Sequence, residues 1–411
     1  MLHVIPTTPK NKFTTNILCL LIRRPLCREE VTSTALLPPL LARGCKKYPT
    51  VQDIRLAAES LQGSIFDAQI IKKGEEQILQ FFFECVDDCD DSGLTFKGEV
   101  LDFLHEIILN PLLEGEIPAF HSANVKGEKE NLKNRIEGRI NNKSEYAKLK
   151  CIETMCAGEP FGLYGDGYAE DLPNITTSNL LKHYHNILAN STVEFIALGN
   201  WDEGWLKREI DSRFSALFIS NKIIPKPILN QARTTRQLVT MNHNTSQGNL
   251  VIGLRGEVKP LGMDYIHLQL AKEILGGSPN AKLFANIREK ESLCYSVYSS
   301  LYRFKSLMCI VAGSEPDKLD YVLELAEKEI NALKKGEFSK DDLYNAKQSL
   351  QKRWRSMEDY PSACVDFYAT QYLLEDPRKL EDMLDQVEKA GADGVAQSFS
   401  RLNIDTVVMM R

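Results

Sequence analysis

The chain has 411 residues, of which 43% are hydrophobic and 26% are charged. This composition is typical of globular proteins and excludes a collagen-like repeat, a coiled coil or extended disorder as the main architecture. The 50 Lys and Arg residues against 56 Asp and Glu residues give a net charge of −6, which offers no electrostatic basis for binding nucleic acid.

The sequence gives no sign of export or of a membrane anchor. The N-terminus lacks a basic segment followed by a long apolar stretch, and the longest early apolar run, residues 17–22, is a strand length rather than a membrane span. None of the 10 cysteines forms a Cys-x-x-Cys pair. We therefore expect a cytoplasmic protein with free, buried thiols, with a cysteine zinc or redox site as the alternative.

The first half of the chain shows alternating strand and helix patterns. Capping signals predict a helix that starts at the capping box Thr50–Asp53 and ends at Gly63. Apolar periodicity predicts four strands, over 14–22, 64–70, 76–86 and 193–199. It also predicts three helices, over about 96–109, 125–157 and 178–187.

The second half repeats this order after a segment without sustained periodicity, residues 218–235. We predict four strands, over 250–255, 295–302, 306–313 and 406–410. We also predict helices over 261–275 and 281–290, a helix that begins at Pro316 and a helix after the capping box Ser339–Asp342. The repetition predicts an α+β fold made by tandem duplication, with domains 1–217 and 236–411 joined by the linker 218–235.

One segment carries a family signature. Residues 276–300 read Gly-Gly-Ser-Pro-Asn-Ala-Lys-Leu-Phe-Ala-Asn-Ile-Arg-Glu-Lys-Glu-Ser-Leu-Cys-Tyr-Ser-Val-Tyr-Ser-Ser. This resembles the C-terminal-half signature of the insulinase/pitrilysin-type zinc metallopeptidases, the inverzincins, and residues 36–66 resemble the zinc-motif helix of that family and the segment after it. The resemblance implies two homologous α/β-sandwich domains of the mitochondrial-processing-peptidase/insulinase type, which form half of a clamshell.

The zinc motif of that family is absent. His-x-x-Glu-His supplies two zinc ligands and the residue that activates water. Alignment on Gly44 places Ala35 and Pro39 at the His positions and Pro38 at the Glu position, and none of these side chains has a donor atom for a metal. Two prolines also predict that the motif helix is interrupted.

The third ligand position is also lost. The family ligand is a Glu seven residues after another Glu, and the matching stretch starts at Glu128 and places Arg135 at the ligand position. A fixed cation there repels Zn²⁺. The resemblance therefore implies that this chain has no catalytic residue and binds no cofactor of its own.

The substrate-binding pair of the family is present in the second half. Arg288 and Tyr295 match an Arg and a Tyr that reach the substrate of the active half. Arg can donate to peptide carbonyls, and a Tyr hydroxyl can donate to the oxygen on which negative charge develops. From the residues alone, Arg288 could instead be a solvated helix residue paired with Glu289 or Glu291, and Tyr295 could be strand packing.

Two further segments are candidate substrate contacts. No Gly-Lys-Ser/Thr follows Gly276–Gly277, so we expect a turn whose backbone contacts substrate rather than a phosphate loop. The strand near residues 63–70 resembles the edge strand to which an extended peptide adds in this family.

The resemblance favours one function and leaves others open. We expect a non-catalytic subunit that contributes Arg288 and Tyr295 to a homologous partner, which carries the zinc motif, binds Zn²⁺ and hydrolyses peptides. The alternatives are a metal-free homodimer that binds peptides and an assembly subunit. We expect no nucleic-acid or membrane partner.

Overall fold

A computed structural model describes residues 1–6, 12–87, 93–218, 226, 228–242 and 247–411, without the side chains of 93–95. The acidic segment after Asp87, with Cys89, and residues 219–225 and 227 of the predicted linker lie outside the described residues.

The first half contains most of the predicted strands and helices, together with elements that were not predicted. In chain order these are β1 (Leu2–Val4), β2 (Thr15–Pro25), α1 (Val31–Leu41), α2 (Val51–Ser60), β3 (Ile65–Lys73), β4 (Glu76–Val86), α3 (Gly93–Leu109), β5 (Leu113–Glu114), β6 (Ala119–Phe120), α4 (Ser122–Glu137), α5 (Lys143–Met155), α6 (Thr177–Asn190), β7 (Thr192–Leu198) and α7 (Glu203–Phe214).

The second half follows the same plan. Its elements are β8 (Gln237–Met241), β9 (Gly248–Arg255), α8 (Gly262–Lys272), π-helical segments at Glu273–Gly277 and Phe284–Lys290, β10 (Cys294–Tyr302), β11 (Leu307–Ser314), α9 (Leu319–Lys334), α10 (Lys340–Met357), α11 (Pro361–Leu373), α12 (Leu380–Lys389), α13 (Ala392–Ser400) and β12 (Asn403–Met410).

Each half builds a five-stranded sheet with the same topology. The first sheet has the order β1-β7-β2-β4-β3 and the second has the order β8-β12-β9-β11-β10. In both sheets the first pair is parallel and the other three pairs are antiparallel. The α+β fold and the tandem duplication are thereby confirmed, and β3 and β10 occupy equivalent edges.

The chain forms two compact units that do not follow the repeat boundary. The first comprises Met1–Glu137, Leu163–Lys226 and Tyr360–Thr370, and the second comprises Gly138–Gly162, Pro227–Asp359 and Gln371–Arg411. Helix α5 therefore belongs to the second unit and most of α11 to the first, although each comes from the other half of the sequence.

Apolar packing explains the place of α5. Its buried Ala147, Cys151 and Met155 share a hydrophobic cluster with strand residues of the second sheet, including Cys309 and Val408. Gly253 in β9 makes room for this helix, because a Cβ there would lie 2.8 Å from Cys151 Sγ.

Most predicted elements are confirmed, but the single helix predicted over 125–157 is wrong. The helix breaks into α4 and α5 at Gly138, a residue with low helix propensity, and the Asn142 side chain caps α5 by accepting a hydrogen bond from the Glu145 N–H. Several described elements were not predicted: the helices α7, α11, α12 and α13 and the short strands β1, β5, β6 and β8.

No disulfide links the described cysteines, and Cys27 alone among them is not fully buried. Burial raises the pKa of Cys294 to about 11, which keeps the group as an unreactive thiol. In the described part of the chain, no helix is long and apolar enough to cross a membrane.

Candidate functional site

Helix α1 carries the zinc-motif positions, and it is intact. It runs from Val31 to Leu41 with Pro38 and Pro39 inside it, so the predicted interruption is wrong. The prolines lie in the last turn, and the Ala42 N–H still donates to the Pro38 carbonyl at 3.1 Å. Nearly every residue of α1 is buried, so packing stabilises a helix that lacks two internal hydrogen bonds.

The side chains at the predicted motif positions offer no ligand for zinc. Ala35 and Pro38 are buried, and Pro39 lines a pocket with its apolar ring. At the third ligand position, Arg135 forms an ion pair with Asp166 at 3.1 Å. The donor set therefore does not fit a zinc ion, and within the described residues no three His, Cys, Asp or Glu side chains are grouped as metal ligands.

A different pair of charged residues meets beside the motif helix. Arg43, just after α1, donates through Nε to buried Glu128 on α4, and Asn131 also donates to that carboxylate at 3.1 Å. Sequence reasoning missed Arg43 because the two residues are far apart along the chain. Gly127 could have indicated a close contact on α4, because a glycine inside a helix is unfavourable unless a neighbouring group packs closely on it.

Arg43 and Glu128 line a pocket of about 520 Å³ in the first unit. Its walls come from the end of α1, from α2 and from the start of β3. Among the described strands, β3 is the edge of the first sheet and pairs with β4 alone, so the pocket lies beside a strand edge that no described strand covers. This is the strand expected to hold an extended peptide.

One of the two histidines of α6, His183, has a structural role. The imidazole of His183 lies 2.8 Å from the Thr34 hydroxyl on α1, while Tyr184 between the two histidines is buried. Burial lowers the pKa of His183, so the ring is neutral near pH 7. It holds α6 against α1.

In the second unit, the candidate substrate residues Arg288 and Tyr295 both have exposed side chains. Arg288 lies in the helical segment Phe284–Lys290, stacks on the Phe284 ring at 4.5 Å and is 3.9 Å from the Glu289 carboxylate. Tyr295, the second residue of β10, is 62% exposed. Their exposure is compatible with a substrate contact and with solvated surface positions.

The glycine pair is explained by close packing. A Cβ on Gly276 would lie 2.9 Å from the backbone nitrogen of Ser299, and one on Gly277 would lie 2.6 Å from the Glu273 carboxylate. Glu273 is buried and paired with Lys272 and Arg353. The turn thus packs on β10 and on a buried ion cluster, and its predicted substrate contact stays a prediction.

The turn between Arg288 and Tyr295 has an unusual backbone conformation. Ser292 has a φ of +54°, in the left-handed region, and the Leu293 N–H donates to the Ile287 carbonyl at 3.1 Å. Ser292 thus ends the helical segment in the left-handed conformation, a position that favours glycine.

We expect Ser292→Gly to raise the free energy of unfolding by about 0.5–1 kcal/mol, because glycine removes the left-handed penalty of a side chain. Urea unfolding measures the change. Ser278→Gly is the control, because Ser278 has ordinary extended backbone with a φ of −144° and its replacement should lower stability. An unchanged or lower stability of Ser292→Gly would contradict the strain at this turn.

Comparison with known proteins points to one family. Residues 174–350 match the model of the "Peptidase M16 inactive domain". Over 422 aligned residues, the chain is 28% identical to the "Probable inactive metalloprotease YmfF" of Bacillus subtilis, with 100% of this chain and 95% of that protein covered. The M16 match thus covers residues 174–350, and over its whole length the chain is similar to inactive, peptidase-like proteins.

Solved structures share the M16 fold over the full chain. A conserved protein from Enterococcus faecalis is similar with a TM-score of 0.89 at 24% identity, covering 100% of this chain and 96% of that one. A peptidase M16 inactive domain from Pseudomonas fluorescens has a TM-score of 0.81 at 18% identity, with coverage of 100% and 94%. At these identities the similarity concerns the fold alone.

Proposed function

We propose that this chain is the non-catalytic subunit of a heterodimeric zinc metallopeptidase. Arg288 and Tyr295 reach the substrate of a homologous partner, and the partner supplies the zinc motif, the Zn²⁺ and the hydrolysis. The observation that carries the proposal is the contrast between the two units. The motif positions of the first have lost every metal donor, whereas Arg288 and Tyr295 of the second keep exposed side chains.

The chemistry of the two side chains supports this role. A Tyr hydroxyl donates one hydrogen bond to a carbonyl oxygen as it gains negative charge, and Arg donates to the carbonyls of an extended peptide. Two contacts hold the segment before Arg288 in place. Lys282 forms an ion pair with Asp342 of α10 at 2.9 Å, and Asn286 donates a hydrogen bond to Glu329 of α9 at 2.8 Å. Arg288 is thereby presented from a fixed helix rather than a free loop.

We expect Arg288→Ala and Tyr295→Phe each to lower cleavage by the complex about ten-fold or more, because each removes a donor to the transition state. The chain is co-purified with a zinc-motif-bearing M16 chain of the same genome, and cleavage of a mixed peptide library is measured. Arg355→Ala and Tyr344→Phe, at exposed positions of α10, are matched controls.

Complex formation is measured separately, by gel filtration, so that loss of binding is not mistaken for loss of catalysis. Unchanged turnover of both variants in an intact complex would contradict the cross-subunit role. A chain that pairs only with itself and binds peptides without any cleaving partner would favour the metal-free homodimer, which the open strand edge beside the pocket supports.

A further inference from the structure

We infer that the pocket beside β3 binds the C-terminal carboxylate of a peptide whose last residue is apolar. This inference concerns the first unit and does not depend on the proposed role of Arg288 and Tyr295. It rests on a preorganised guanidinium, a second cation and an apolar wall that line one cavity.

Arg43 is held in place from two sides. Its Nε donates to buried Glu128, and its guanidinium lies on Gly127, where a Cβ would be 3.3 Å from Cζ and from both terminal nitrogens. Among the described residues, neither terminal nitrogen of Arg43 has a hydrogen-bond partner, and the side chain is 31% exposed. A fixed guanidinium with unused donors matches the two oxygens of a carboxylate.

A second cation and an apolar wall complete the cavity. Arg55 on α2 also lines it, is exposed and forms no ion pair with a described residue. The apolar lining includes Pro39, Val51, Ile54, Ala58 and Ile65. The volume of about 520 Å³ is in the range of small-ligand sites. Replacement of a ligand histidine by proline at position 39 thus gives an apolar surface where the family has a metal ligand.

The remaining charges select the ligand further. Glu128 takes only the Nε donor of Arg43, and Glu59 and Asp67 also line the pocket from exposed positions. These carboxylates disfavour a second negative charge on the ligand and favour a basic residue before its C-terminus. A peptide ending in Lys-Leu with a free carboxylate has this chemistry.

The test is calorimetric titration of the full chain alone with three probes. These are acetyl-Ala-Lys-Leu with a free C-terminus, the same peptide as its amide, and 4-methylpentanoate, a free acid with the same apolar end. We expect the peptide acid to bind at least ten-fold more tightly than either of the others. Equal affinity of acid and amide, or no binding of the acid at millimolar concentration, would overturn the site. Equal affinity of 4-methylpentanoate would overturn the assignment to a peptide.

Variants localise the binding. Arg43→Gln and Arg55→Gln should each weaken binding of the peptide acid about ten-fold and leave the amide unchanged. Arg135→Gln, a guanidinium on α4 that does not line the pocket, is the control and should have no effect. Arg55 is exposed, so its variant tests the site even if Arg43→Gln fails to fold and leaves Glu128 unpaired. Unchanged affinity of Arg55→Gln and of any folded Arg43→Gln would contradict the inference.

Discussion

Glu159→Gln should lower the free energy of unfolding of the second unit by about 3–5 kcal/mol, because it leaves two buried cations without their carboxylate. Lys305, 1% exposed, pairs with Glu159 at 3.0 Å, and Arg255, 5% exposed, also donates to it. Arg255 further donates to the Met155 carbonyl at 2.7 Å, at the C-terminal end of α5. The cluster therefore fixes α5 to its sheet.

Hydrogen exchange of the β9 amides measures this loss, since β9 contacts α5. Glu315→Gln is a matched control, because its partner Lys318 is exposed and a surface ion pair contributes less than 1 kcal/mol or so. Equal protection of β9 in Glu159→Gln and in the control would contradict the role of the buried cluster.

The same carboxylate makes the second unit sensitive to acid. Burial would raise the pKa of Glu159, but the hydrogen bonds and charges of Arg255 and Lys305 outweigh burial and hold the pKa below its usual value. A depressed folded pKa stabilises the fold above the unfolded pKa, and that stabilisation is lost as pH falls through the folded pKa. Below about pH 4.5, the wild type should lose stability more steeply than Glu159→Gln.

Gly167→Ala should destabilise the first unit by about 3 kcal/mol or more, by strain and by overlap together. Gly167 has a φ of +80°, and a Cβ there would lie 2.6 Å from the Thr32 Cα and 2.2 Å from its hydroxyl oxygen. That hydroxyl accepts the Tyr168 N–H at 2.9 Å and donates to Asp171. The added methyl group would therefore displace the loop that Thr32 holds on α1.

Gly63→Ala separates the contribution of backbone strain from that of steric overlap. Its φ of +70° imposes similar backbone strain, but no atom lies within 4 Å of the added Cβ, so we expect a loss of only about 1–2 kcal/mol. Urea unfolding in a Trp354→Phe background reports the first unit, because Trp201 and Trp205 then remain as its fluorophores. Similar losses for both variants would show that the contact with Thr32 is not the cause.

Local signals in the sequence were sufficient where an element is defined by its own residues. The capping boxes at Thr50 and Ser339 start α2 and α10 as predicted, and the apolar stripe from Leu319 to Leu333 is the buried face of α9. The repeated order of elements also predicted the duplication, because it depends on pattern rather than on contacts between distant residues.

Features determined by distant residues were not predicted. The prolines of α1 are tolerated because surrounding side chains bury the helix, which propensity alone does not indicate. The pair Arg43–Glu128 joins residues 85 positions apart. Likewise, the apolar face of α5 indicates that the helix is buried but not which of two equivalent sheets covers it.

Helix α5 packs in the second unit and most of α11 in the first, and this affects when each unit can be completed during synthesis. The first unit is complete only once Thr370 of the 411 residues has been made, so its sheet leaves the ribosome well before the last segment that packs on it. The second unit likewise uses a helix made long before its own sheet. Neither unit is built from one continuous stretch of the chain, so each needs residues from both halves of the duplication to complete its structure.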